Sequence, residues 1–210
     1  MPHEDQVFKK GTRASFRNGK LELQWRELTY ISRKLSCTLT LQMGHLREVR
    51  LTGNRITELP PWAIVAMHGI VELAIGHNQI RRLPSNFGLL APTLRVFEAE
   101  HNLLGSLPDS FCELRNLETL VLTGNLIAKL PVQIGKLKAL SNFRFDDNLV
   151  RMLPGTFQRM GGLVELQLSR CRLAVSLGGN GAGGLARSWL SLSAVPAYLH
   201  SAATRLNCSP

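Results

Sequence analysis

A period of 23 or 24 residues runs through the middle of this chain, and a chain built on such a period stacks its units in a row instead of folding around one centre. Its first full unit places Leu46, Val49, Leu51, Asn54, Ile56, Leu59 and Pro60 at positions 1, 4, 6, 9, 11, 14 and 15 of the pattern L-x-x-L-x-L-x-x-N-x-L-x-x-L-P. Further units begin at Ile70, Leu94, Leu117 and Leu140, each with asparagine at position 9 (Asn78, Asn102, Asn125, Asn148) and Leu-Pro at positions 14 and 15. A sixth opens with Leu163, Leu166 and Leu168 but carries Cys171 in place of the asparagine and Ser176-Leu177 in place of Leu-Pro. Upstream, Leu21, Leu23, Leu28 and Ile31 fit positions 4, 6, 11 and 14 of a degenerate first unit with Arg26 at position 9.

Each position has a physical task. Positions 4 and 6 alternate with polar neighbours, the period-two pattern of a strand with one buried face, which predicts parallel strands around Val49–Leu51, Leu73–Ile75, Phe97–Ala99, Leu120–Leu122, Phe143–Phe145 and Leu166–Leu168. The position-9 asparagine offers a donor and an acceptor on a short side chain, suited to backbone groups that a turn leaves unpaired inside the coil. Stacked units therefore predict a ladder of Asn54, Asn78, Asn102, Asn125 and Asn148. After Leu-Pro, apolar pairs such as Phe87 and Leu90, or Ile134 and Leu137, predict one helical turn per unit, preset by the proline.

These residues resemble the short intracellular leucine-rich repeats of about 23 residues found in the Ras-suppressor protein, Ras-scaffold proteins and plant Ras-group-related repeat proteins. The resemblance covers residues 18–177 and is clearest in Leu130, Pro131, Ile134, Gly135 and Leu137, and in Leu83, Pro84, Phe87 and Gly88. It implies an α/β solenoid, a horseshoe with parallel strands on the concave face and short helical or irregular segments on the convex face. It also implies a scaffold or adaptor, with a small GTPase or a phosphatase catalytic subunit as partner. The motif specifies architecture more sharply than function, since one fold hosts many unrelated sites.

Three segments follow: a polar, flexible N-terminal stretch over 1–17, the repeat domain over 18–177, and a Gly-rich linker with a low-charge tail over 178–210. Gly179, Gly181 and Gly184 match G-x-G-x-x-G, yet no strand-helix-strand unit surrounds them and no acidic residue follows, so they read as linker. Leu185, Trp189 and Leu192 fit a short helix folded over the open end of the array, and equally a tail of alternative splicing. Four cysteines, Cys37, Cys112, Cys171 and Cys208, lie far apart, which reads as reduced thiols rather than a metal site or disulfide framework. The N-terminus lacks the apolar stretch of a signal peptide, and with no membrane-length apolar run the expected location is cytoplasmic.

Net charge is +10, which raises nucleic acid as a partner, but it divides as +4, +4 and +2 over residues 1–45, 46–177 and 178–210 and forms no basic stripe. Positions 3, 5, 7 and 8 form columns down the concave face, because equal positions stack from unit to unit. Their candidates for partner binding are Arg50, His77, Glu98, Glu100, His101, Val121, Thr123, Arg144, Asp146 and Asp147. The carboxylates among them suit an acid/base pair, a hard-metal site or an acidic docking patch; on an open, hydrated face with no nucleophile beside them the docking patch is expected, with carboxylates of ordinary pKa. His77 and His101 lack a third ligand at metal spacing, so no metal and no cofactor is expected. Leu103, Leu126 and Leu149 at position 10 read either as hot spots on the rim or as packing for adjacent loops. The expected function is a non-catalytic protein scaffold; the alternative is a nucleic-acid-binding or substrate-recognition fragment of a larger enzyme.

Overall fold

The computed structural model describes residues 15–32 and 46–171, and the Gly-rich tail lies outside them. One open sheet runs through the array in chain order: β1 (Ser15–Arg17), β2 (Lys20–Glu22), β3 (Glu48–Arg50), β4 (Glu72–Ala74), β5 (Val96–Glu98), β6 (Thr119–Val121), β7 (Asn142–Arg144) and β8 (Glu165–Gln167). From β2 to β8 every neighbour is parallel and in register, so that Leu21, Val49, Leu73, Phe97, Leu120, Phe143 and Leu166 stand in one row. This is the α/β solenoid that the repeat predicts.

Each strand begins and ends one residue earlier than the sequence pattern suggests, at Glu48–Arg50 instead of Val49–Leu51, for example. Pairing nevertheless continues past the strand end, since Leu51 N–H donates to the Ala74 carbonyl at 2.8 Å and Gly53 N–H to that of Gly76 at 3.0 Å. Strand pairing also starts inside the segment expected to be flexible: β1 runs antiparallel to β2 through the turn Asn18-Gly19, whose φ values of 51° and 76° lie in the left-handed region that an Asn-Gly hairpin uses.

The convex side is built from short turns. Only the first full unit makes an α-helix, α1 (Pro61–Ala66), while the others wind into tighter 3-10 turns at Phe87–Leu90, Asp109–Glu113, Ile134–Lys136 and Gly155–Arg159. The Leu-Pro proline starts each of them, its carbonyl accepting the first bond of the turn from Phe87, Phe111, Ile134 and Phe157 at 2.9–3.1 Å. Pro60, Pro108 and Pro154 hold φ near −70°, the value their rings impose. Between sheet and turns lies one continuous aliphatic core from Leu21 to Leu168, thickened by the rings of Phe87, Phe97 and Phe111, whose centroids lie 5.0–5.9 Å apart.

The position-9 asparagines sit inside this coil, buried and fully engaged. Asn125 accepts the Leu104 N–H at 3.1 Å and donates to the carbonyls of Ala99 and Leu122 at 3.0 and 2.9 Å. Asn78, Asn102 and Asn148 repeat that arrangement one unit apart, and Asn54 accepts from Arg26 and Leu28 of the degenerate unit. Where the asparagine is replaced, Cys171 donates its thiol to the Phe145 carbonyl at 3.3 Å, a weaker form of the same contact.

Candidate functional site

The strand face has an acidic centre between two ion-paired flanks. On the N-terminal side Glu48, at position 3 and buried, binds both Lys20 and Arg50, while Arg50 reaches on to Glu72 at 2.9 Å. On the C-terminal side Arg144 pairs with Glu165 at 3.3 Å, and Arg170 with Asp147. Between them the register sets Glu98 beside Ala74 on one neighbouring strand and Val121 on the other. The cations that would neutralise Glu98 and Glu100 are two strands away on either side, and both are held by other carboxylates.

Burial and the negative charges of Glu100 and Glu72 push the Glu98 carboxyl above its usual range, and Arg50 and Arg144 offset this only in part. This corrects the expectation that every carboxylate of the face is fully hydrated and ordinary. Glu48 is opposite in sign: burial alone would raise its pKa, but hydrogen bonds and charge from Lys20 and Arg50 outweigh that and hold it low. Glu100 lies over Gly76, where a β-carbon would overlap its carboxylate, and its Oε2 is buried without a hydrogen-bond partner.

The position-8 column belongs to the turn after the strand and not to the strand itself. His77, His101, Asp147 and Arg170 all have φ of 52–53°, and Gly53 and Gly124 have 73° and 70°. The left-handed backbone carries His77 and His101 into a stacked pair, with ring centroids 4.6 Å apart, and Trp25 of the degenerate unit approaches His77 at 6.1 Å. Glycines give these rings room: Trp25 lies over Gly53, and a β-carbon on Gly124 would stand 2.6 Å from His101 Nδ1. The three rings thus form an exposed strip along one edge of the acidic centre.

Of the residues singled out from sequence, Glu98, Glu100, His77 and His101 come together with Val121 and Thr123 beside them. Arg50, Arg144 and Asp147 are committed to ion pairs. Asp146 is buried, and its carboxylate accepts the Ser169 N–H at 2.7 Å, so it supports a turn instead of facing a partner. Glu48 and Trp25 were missed; carrying the columns back into the degenerate unit, where Lys20 and Trp25 take positions 3 and 8, would have found both. Among the described residues no cluster of His, Cys, Asp and Glu is placed to hold a metal ion, and no helix is long and apolar enough to cross a membrane.

Comparison with known proteins agrees with this architecture. The leucine-rich-repeat family pattern matches residues 45–67. A "Probable disease resistance protein" of Arabidopsis thaliana is 30% identical over 80 residues, which is 38% of this chain and 9% of that protein. Among solved structures, a leucine-rich-repeat protein of Leptospira interrogans superposes with a TM-score of 0.66 at 26% identity, over 74% of this chain and 38% of its own. The plant peptide hormone receptor RGFR1, solved in complex with RGF2, gives 0.59 at 25% identity, over 69% of this chain and 23% of its own. The chain therefore spans well under half the length of each of these proteins.

Proposed function

We propose that this leucine-rich-repeat solenoid is a non-catalytic protein-interaction module that holds a partner's basic segment on its strand face. One observation carries the reading: Glu98 and Glu100 sit uncompensated at the centre of an open sheet, between flanks where Glu48 and Glu72 hold Arg50 and Glu165 holds Arg144, with a strip of stacked rings beside them. A lysine or arginine from a partner would neutralise carboxylates that the fold leaves without a cation, and a guanidinium plane would also stack on the rings. The complex of RGFR1 with RGF2 supports the reading as an instance of a similar solenoid that holds another molecule.

The resemblance to Ras-scaffold repeats makes a small GTPase and a phosphatase catalytic subunit the first partners to try, and the cytoplasm the compartment to look in. In the test, affinity capture with the chain as bait is compared with capture by the Glu98→Lys/Glu100→Lys variant, alongside purified GTPase and phosphatase. Loss of the captured partner by a variant that melts like the parent supports the reading. Equal capture by both places binding elsewhere.

A further inference from the structure

A second surface runs along the loops that follow the strands, where the repeat stacks positions 10, 12 and 13. Leu103, Leu126 and Leu149 occupy position 10 of consecutive units. They are tied in series by backbone bonds from their N–H groups to the carbonyls of Ile80, Leu104 and Ile127 at 2.9–3.0 Å. Leu103 is 37% and Leu126 48% exposed while Leu149 is half-buried, so the first two leucines of the column present apolar surface and the third closes it against its neighbours. The neighbouring columns hold small residues, Gly105 and Ala128, and then Met152, which is 74% exposed. A narrow apolar strip three units long is the result. A parallel bridge between Ser106 and Lys129 fixes the loops beneath it.

Charge frames that strip. Arg81 and Arg82 precede it by one unit, and Lys129 and Arg151 lie alongside it, in the units of Leu126 and Leu149; all four are exposed, and none joins an ion pair among the described residues. In the five full units the only acid at positions 10, 12 and 13 is Glu58. A share of the net positive charge that the paired strand face does not use is therefore displayed here.

We propose that this rim docks an amphipathic α-helix of a protein partner, with an apolar stripe on the leucine column and acidic residues along the flanks. Spacing favours a helix: one turn rises about 5.4 Å and adjacent repeats stand about 4.8 Å apart, so residues at i, i+4 and i+7 meet Leu103, Leu126 and Leu149 in turn. Carboxylates one step round the helix reach Arg81 and Arg82 at one end and, along one side, Lys129 beside Leu126 and Arg151 beside Leu149. An anionic bilayer would draw on the same cations, and the vesicle comparator in the test separates it from a helix. A nucleic acid would leave the leucines unused.

The test uses the full chain and a labelled synthetic peptide of about 18 residues, five turns, with leucine at i, i+4, i+7 and i+11 and glutamate beside them. Two comparators are a scrambled peptide of equal composition and vesicles of phosphatidylcholine with phosphatidylserine. Binding of the striped peptide, weaker by about ten-fold or more in Leu103→Ser/Leu126→Ser, in Arg81→Glu/Arg82→Glu and for the scrambled peptide, is the expected result. All substituted side chains are exposed, and matching thermal melts establish that the variants fold. The Glu98→Lys/Glu100→Lys variant should bind the peptide as the parent does, which separates this surface from the strand face. Equal binding of striped and scrambled peptides, indifference to the rim variants, or binding to vesicles without binding to peptide would each overturn the proposal.

Discussion

Replacing Asn125 with alanine isolates what one rung of the asparagine ladder contributes. Four backbone groups lose a partner, but not equally: the Thr123 carbonyl, a marginal 3.5 Å acceptor, keeps the His101 N–H at 2.8 Å. The Ala99 carbonyl keeps Asn102 Nδ2 at 3.3 Å, and the Leu122 carbonyl keeps Asn148 Nδ2 at 2.9 Å. The Leu104 N–H, by contrast, has the Asn125 oxygen as its acceptor and is left unpaired in the core. One orphaned buried donor costs about 1–3 kcal/mol, and three weakened carbonyls add a fraction of that, so a loss of about 2 kcal/mol is expected. At roughly 2–4 °C per kcal/mol for an array of this size, the melting temperature should fall by about 4–8 °C. Thr123→Ala serves as the control, since its half-buried hydroxyl makes no hydrogen bond among the described residues, and it should change stability by less than about 0.5 kcal/mol. Urea unfolding gives both numbers with an unchanged m-value. Equal midpoints for the two variants would mean that the rung does not serve a buried donor, and the reasoning would fail.

Glu98 has a raised folded pKa, so its contribution to stability is fully present below the ordinary carboxyl value of 4.5 and is lost as pH rises through the raised value. Glu98→Gln should therefore melt above the parent at pH 7 and lose that advantage near pH 4, as differential scanning calorimetry across pH would record. Gly135→Ala should destabilise by about 1–3 kcal/mol, because a β-carbon there runs into the Thr156 backbone, whereas Gly76→Ala meets only the movable end of Glu100 and should cost much less in the same chemical denaturation series. His101→Val should cost about 1–3 kcal/mol, as a β-branched side chain is forced to φ of 52°, while His101→Gly should stay within about 1 kcal/mol of the parent because relief of the backbone offsets the lost ring contact.

The architecture was legible in the sequence because in a stacked repeat the same residue meets the same neighbour in every unit. Leu51, Ile75, Ala99, Leu122 and Phe145 bury one face, and any one of them could be misread, but five at one spacing could not. The hairpin at Asn18-Gly19 was not read, since its signal is local and lies where the period has already failed. On the strand face, composition of the columns was readable and pairing was not. Whether Asp146 faces outward or bends to the Ser169 N–H, and whether Arg50 turns toward Glu48 or toward Glu98, depends on side-chain geometry that a column of letters does not contain. The uncompensated pair at Glu98 and Glu100 emerges only after every neighbouring cation has been assigned.

Position 8 shows how the fold limits what its own surface can display. The turn there demands a left-handed backbone in every described unit, from Trp25 at φ of 55° to Arg170 at 52°. Glycine meets that demand without strain, and any other residue costs about 1–2 kcal/mol. Two of the seven units use glycine, Gly53 and Gly124, and both lie under rings held by units next to them. The others offset the cost by contacts made along the column: Trp25 and the His77–His101 stack on one side, the Asp147–Arg170 ion pair on the other. Side chains at this edge are therefore held by one another rather than by the core. A partner that inserts between the rings must replace a contact worth about 0.5–1.5 kcal/mol, whereas one that seats a cation on Glu98 and Glu100 and lays an apolar or guanidinium plane over the intact strip gives up nothing. The geometry of the edge thus favours a ligand that lies along the column over one that wedges into it.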